Sequence, residues 1–122
     1  MVLPRRAGRQ VSRPRRRSGA ISTQRLDKLI EEATVDCYDD SEQITGFYTM
    51  LEEHLDLPFK TKVLGLDVTV EAIQLTEAAE MVAVRARGRF RQAIPLLQLP
   101  LPRPRPRGAE WIEAYRRWGR AR

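Results

Sequence analysis

Seven consecutive residues, Asp36-Cys37-Tyr38-Asp39-Asp40-Ser41-Glu42, hold three aspartates and a glutamate. Carboxylates at this density suit a hard cation. Calcium takes about six to eight oxygens at ~2.3–2.6 Å, drawn from carboxylates, backbone carbonyls and water. Asp36, Asp39, Asp40 and Glu42 bring two oxygens each, and a turn also exposes carbonyls. The spacing is not that of an EF-hand loop, which alternates its oxygen ligands around a central glycine and closes on a glutamate. The same acids also read as helix caps. Asp39 and Glu42 have capping-box spacing, Ser41 is a second cap, and acids near a helix start are favoured by its dipole. Both readings stand on these residues alone. Glu52, Glu53 and Asp56 form a second acidic group, read as a solvated helix face or a shallow second cation site.

A second set of charges has the opposite sign. Arg85, Arg87, Arg89 and Arg91 recur at every other position, and a turn at Gly88 would place them on the outer face of one hairpin. Such a face can neutralise phosphates, which makes weak non-specific polyanion or nucleic-acid binding the alternative function. Phe90 is the one nearby aromatic, and its parity points inward. Catalysis finds no constellation. His54 is the only histidine and Cys37 the only cysteine, so an internal disulfide is excluded, Cys37 alone cannot make a Cys-based zinc site, and a triad would need partners that converge on His54 from elsewhere in the chain. The expectation is a non-enzymatic protein in a reducing, cytoplasmic setting.

The net charge of +6 conceals three blocks. Residues 1–25 carry eight arginines and no acid. Residues 26–84 carry 14 acids against three lysines, and residues 85–122 carry 11 arginines against two acids. Such segregation speaks of partners rather than of fold. The first block also contains Pro4 and Pro14 and few apolar residues, so it is read as a disordered Arg/Pro-rich arm over 1–21. Such an arm could bind nucleic acid or anionic surfaces, be an acid-poor transit peptide, or be an upstream extension with no role; the prolines oppose the amphipathic helix a transit peptide needs. No run approaches the ~18 apolar residues of a membrane span.

The elements that must position the acidic turn follow from periodicity. Leu26, Leu29, Ile30 and Ala33 give a helical stripe that starts after Ser22 or Thr23 and weakens at Thr34-Val35. Ile44, Phe47, Tyr48, Leu51 and Leu55 give a second helix over about 42–55, stopped at Leu57-Pro58. Gly46 inside it permits close packing. After Pro58 the period falls to two. Phe59, Thr61 and Val63 alternate with polar partners, Gly65 turns, and Val68 and Val70 continue. The parity switch at Ala72-Ile73 marks a bulge. Val82, Val84 and Ala86 precede the turn at Gly88-Arg89, and Phe90, Gln92 and Ile94 follow it. The Leu101-Pro-Arg-Pro-Arg-Pro-Arg107 run is expected to be extended, near polyproline II. Trp111, Ile112, Tyr115 and Trp118 form one aromatic stripe on a short last helix, with Glu113 and Arg117 as a favourable i, i+4 pair.

Taken in series, Asp-Cys-Tyr-Asp-Asp at 36–40, Gly46-Phe47-Tyr48, Leu57-Pro58-Phe59, Ile94-Pro95-Leu96 and Trp111…Trp118 resemble the CcbP-like family of small calcium-binding proteins first described in cyanobacteria. The resemblance spans about residues 30–118. It implies an SH3-like β-barrel with N-terminal helices, and calcium bound through surface carboxylates without an EF-hand. The expectation is therefore an α+β domain over 22–118, with two helices packed on a small barrel of four or five strands, a short C-terminal helix and a tail at 119–122. Its function would be non-catalytic calcium binding as a low-affinity buffer or sensor. Asp36 and Asp39 are expected to be the principal ligands, with Asp40 and Glu42 as secondary ligands or caps.

Overall fold

The computed structural model describes residues 21–122, so the expected arm lies outside the described residues except for Ile21, which packs against the core. The element order is α1 (Thr23–Ala33), α2 (Asp40–His54), β1 (Phe59–Val63), β2 (Leu66–Leu75), β3 (Met81–Arg87), β4 (Phe90–Pro95), a 3-10 turn (Leu96–Gln98) and α3 (Ala109–Arg120). Three helices and a four-stranded antiparallel sheet make an α+β fold.

Each helix begins and ends for a local reason. The Ser22 hydroxyl accepts from Arg25 N–H (3.1 Å) and caps α1, whose last turn gives way at Thr34. A complete capping box starts α2: Asp39 accepts from Glu42 N–H, and Glu42 reaches back to Asp39 N–H. Gly108 takes φ +88° just before α3, and a Cβ there would overlap the backbone of His54 and Leu55. Only glycine combines that conformation with that closeness.

The strands form a meander in the order β1-β2-β3-β4. Leu64 and Gly65 both have positive φ (52° and 80°) in the two-residue turn between β1 and β2. Gly88 alone has positive φ in the β3–β4 turn. These are the signatures of type I′ and II′ hairpin turns. The bulge falls where the parity switch placed it, with the β2–β3 register shifting between Val70 and Ala72. The strands β1 and β4 lie at the two ends of the order, so the sheet is not closed into the expected barrel. The flank of β1 is taken instead by the Pro-rich connection, where Pro100 C=O accepts from the Thr61 hydroxyl (2.8 Å). That connection bends at Arg103-Pro104, so it departs from a continuous polyproline II run.

The core lies between the three helices and one side of the sheet. Leu29, Phe47, Leu51, Val70, Met81, Leu96, Leu99 and Ile112 are its largest fully buried side chains. Phe47 packs edge-on to Tyr115 (centroids 5.5 Å) and tilted to Trp118 (5.6 Å). Aromatic pairs of this kind contribute about 0.5–1.5 kcal/mol beyond their buried area. α3 thus docks as expected, but its ion pairs differ. Glu113 lies 3.1 Å from Arg105, an ion pair by distance without hydrogen-bond alignment. Arg117 reaches Asp27 on α1 (2.8 Å) instead of Glu113. The helix-spacing rule gave way because α1 and the Pro-rich connection bring better-placed partners to the docked face. No described helix is long and apolar enough to cross a membrane.

Candidate functional site

The acidic turn joins α1 to α2, and two constraints shape it. The first is Gly46, against which the end of α1 rests closely enough that a Cβ would overlap the carbonyl oxygen of Ala33. The second is the capping box. Between them Cys37 N–H bonds Thr34 C=O (3.0 Å), closing a turn in which Asp36 takes φ +60°. Aspartate tolerates the left-handed region better than most residues.

All four acids are exposed, but they are unequally engaged. Glu42 Oε1 accepts from Tyr38 N–H (2.8 Å) and Asp39 N–H (3.2 Å), and Asp39 Oδ1 accepts from Glu42 N–H (2.8 Å). The other oxygen of each carboxylate makes no hydrogen bond to a described residue. Asp40 Oδ1 lies 3.5 Å from Arg122, and Asp36 has no described side-chain partner. So the capping reading is realised for Asp39 and Glu42. It leaves Asp36, Asp40 and one oxygen each of Asp39 and Glu42 facing solvent as hard donors. Among the described residues no three His, Cys, Asp or Glu side chains converge into a ready-made metal cage. The donor chemistry of the turn fits calcium, but the ligands would have to be gathered by the ion.

The second acidic group is more dispersed. Tyr48 hydrogen-bonds Glu52, which raises the tyrosine pKa above its ordinary value. Glu53 lies 3.8 Å from His54, whose ring stacks on Trp111 (centroids 5.4 Å). Asp56 N–H donates to Arg107 C=O (2.9 Å).

A neighbour of the acidic turn that the sequence did not reveal is the end of α3. Trp118 Nε1–H donates to Gln43 Oε1 (2.7 Å), as does Arg122 (2.6 Å). The Arg122 guanidinium sits over the Trp118 ring at 4.5 Å, a cation–π distance. Arg122 thus bonds α2 from beyond the end of α3.

The four hairpin arginines do not share a face. The two-residue turn pairs Arg87 with Phe90 and Arg85 with Gln92, while Arg91 pairs with Ala86. Arg85 and Arg87 thus lie on the side of the sheet that carries Ala83 and Ile94, and Arg91 lies on the other. Arg91 is held by Glu71 through two hydrogen bonds (2.9 and 3.1 Å), and Arg85 by Gln92 (2.7 Å). Arg89, in the turn itself, has no described partner. Phe90 has the inward parity expected of it but is 71% exposed.

Residues 27–119 match the family model Calci_bind_CcbP, described as calcium binding. No curated protein and no solved structure matches the chain. The matched span opens inside α1 and closes near the end of α3, so it takes in the acidic turn and every strand.

Proposed function

The chain belongs to the CcbP family of calcium-binding proteins, and from that premise we propose that it binds calcium at the α1–α2 turn, as a low-affinity buffer or sensor without catalytic activity. The observation that carries the assignment is the unspent donor set on that turn: Asp36 free of side-chain partners at φ +60°, Asp40, and the second oxygens of Asp39 and Glu42. Asp36 and Asp39 are the principal ligands. Asp40 and Glu42 contribute less, since one faces Arg122 and the other serves the cap.

Two physical features support low affinity. The donors are exposed, and they are not preassembled. Sites of that kind fall at about 10⁻⁴–10⁻³ M, and magnesium, which demands tighter octahedral geometry and releases water reluctantly, binds less well. A curved, SH3-like character of the sheet and a cytoplasmic setting belong to the same proposal. The β2 bulge supports the first, and the unpaired Cys37 supports the second.

Calorimetric titration with calcium, repeated with magnesium, tests the assignment on wild type and on Asp36→Asn with Asp39→Asn. Asparagine caps a helix as well as aspartate does, so the double variant keeps its fold. Calcium heat that survives in the double variant puts the site elsewhere. No heat in either protein removes calcium binding from this turn altogether.

A further inference from the structure

Away from the acidic turn, the free end of the sheet carries a feature that calcium binding leaves unused. The β1–β2 and β3–β4 hairpin tips lie side by side there and border a groove of about 1340 Å³, closed on another flank by Pro100–Arg103. Its lining is basic: Arg85, Arg87 and Arg89 stand on or beside the face that carries Leu66 and Phe90, Lys60 and Lys62 border it from the opposite face, and the one acid among the lining residues is Asp67. That acid is already neutralised by Lys62 at 2.8 Å. Lys60 and Arg89 have no partner among the described residues.

The tips themselves are apolar. Leu64 is 94% exposed, the most exposed of the described large apolar side chains; Phe90 is 71% and Leu66 50% exposed. Leu64 also sits at φ +52°, in the first central position of a type I′ turn. Asparagine or glycine fills that position at much lower conformational cost. A leucine there touches almost nothing, so neither the turn nor the core explains it. Sparsely populated backbone conformations of this sort gather at ligand-contacting sites.

We propose that this end of the sheet docks on anionic phospholipid bilayers, with Leu64, Leu66 and Phe90 entering the interface and the groove arginines and lysines meeting the headgroup phosphates. Charge complementarity selects an anionic surface. The choice of lipid over single-stranded nucleic acid rests on side-chain type. Two of the three apolar contacts are aliphatic and cannot stack on bases, whereas nucleic-acid grooves rely on aromatic platforms. Protruding tips suit a yielding interface, in which amphipathic anchors bury apolar groups beneath a ring of cations.

The test is flotation of the full chain, in EDTA, with vesicles of phosphatidylcholine containing about 30% phosphatidylserine, against pure phosphatidylcholine. Wild type floats with the anionic vesicles only. Because residues 1–25 hold eight arginines, charge alone can bring the chain to an anionic surface. Leu64→Asn is therefore decisive: it alters no charge and suits the turn, so its melting temperature stays level or rises. Its partitioning falls about tenfold or more. Arg87→Gln and Arg89→Gln each lower partitioning about fivefold. Phe90→Leu retains vesicle binding. Flotation of Leu64→Asn equal to wild type overturns the proposal. So does tight binding of a labelled oligothymidylate that Phe90→Leu abolishes and Leu64→Asn leaves intact, which would assign the groove to single-stranded nucleic acid. The presence of EDTA makes either result independent of the calcium site.

Discussion

Replacing Gly46 with alanine sets two well-characterised effects against each other. In an exposed helix interior the change stabilises by up to about 1 kcal/mol, because glycine is the poorer helix former. In this protein the added Cβ would overlap the carbonyl oxygen of Ala33 and stand 3.2 Å from its carbonyl carbon. Both are backbone atoms at the end of α1, so no rotamer change clears the space. The third neighbour, Cys37 Sγ at 3.7 Å, is in ordinary contact. Relief requires α1 and α2 to move apart, loosening Phe47, which is fully buried one residue away. Overpacking costs about 1–3 kcal/mol, and a clash with backbone falls at the upper end. After the propensity gain, the expected net loss is about 2 kcal/mol. For a domain of this size that lowers the melting temperature by roughly 10 °C. Circular dichroism melts of Gly46→Ala and of Gly119→Ala make the measurement. At Gly119 the added Cβ meets only the flexible end of Leu97, at 3.1 Å, so that variant should match or exceed wild type. A Gly46→Ala protein that melts at or above the wild-type temperature would refute the close approach of the two helices.

Two further outcomes follow from the same geometry. Asp39→Ala removes the capping box and should destabilise by about 1 kcal/mol in urea unfolding, whereas Asp39→Asn should stay within a few tenths. Burial, with a smaller contribution from Glu80, raises the Tyr115 pKa above 10.0, while the bond at Met81 partly opposes it. A folded-state pKa above the unfolded one means that this stability is complete below about pH 10 and is lost as pH rises through the folded value. Tyr115→Phe should therefore flatten the alkaline limb of a stability–pH profile and leave the acid limb unchanged.

Local chemistry was legible in the sequence wherever one residue sets it. Asp39 and Glu42 announced the capping box, Gly88 the second hairpin turn, and the parity switch at Ala72 the bulge, because each is a short-range rule with few alternatives. The placement of the arginines was not legible to the same degree. A two-residue turn sets Arg87 opposite Phe90, and that register, rather than the alternation of the string, decides the faces. Side-chain partners remote in sequence were invisible. Glu113 and Arg117 have good helical spacing, yet each found a partner on another element. The unclosed sheet belongs to the same class, since strand closure depends on how the Pro-rich connection runs beside β1. At the acidic turn, composition revealed the donors. It could not reveal that one oxygen each of Asp39 and Glu42 stays clear of the cap, nor that Arg122 stands beside Asp40.

The position of α3 in the chain has a consequence for biosynthesis. Its 12 residues follow every other described element, yet six of them are buried, and Trp118 and Arg117 bond partners 75 and 90 residues earlier. While the chain is being synthesised, α1, α2 and the sheet have only part of the core they require, and the groove that α3 fills stays open. The native state therefore waits for α3, and its formation depends on contacts of high sequence separation, which form slowly. A chain interrupted anywhere before Trp111 would expose Leu29, Phe47 and Met81 together, a surface of the kind that chaperones and proteases recognise. α3 thus acts as a check on the domain itself, since only a chain that already includes it can hide this core.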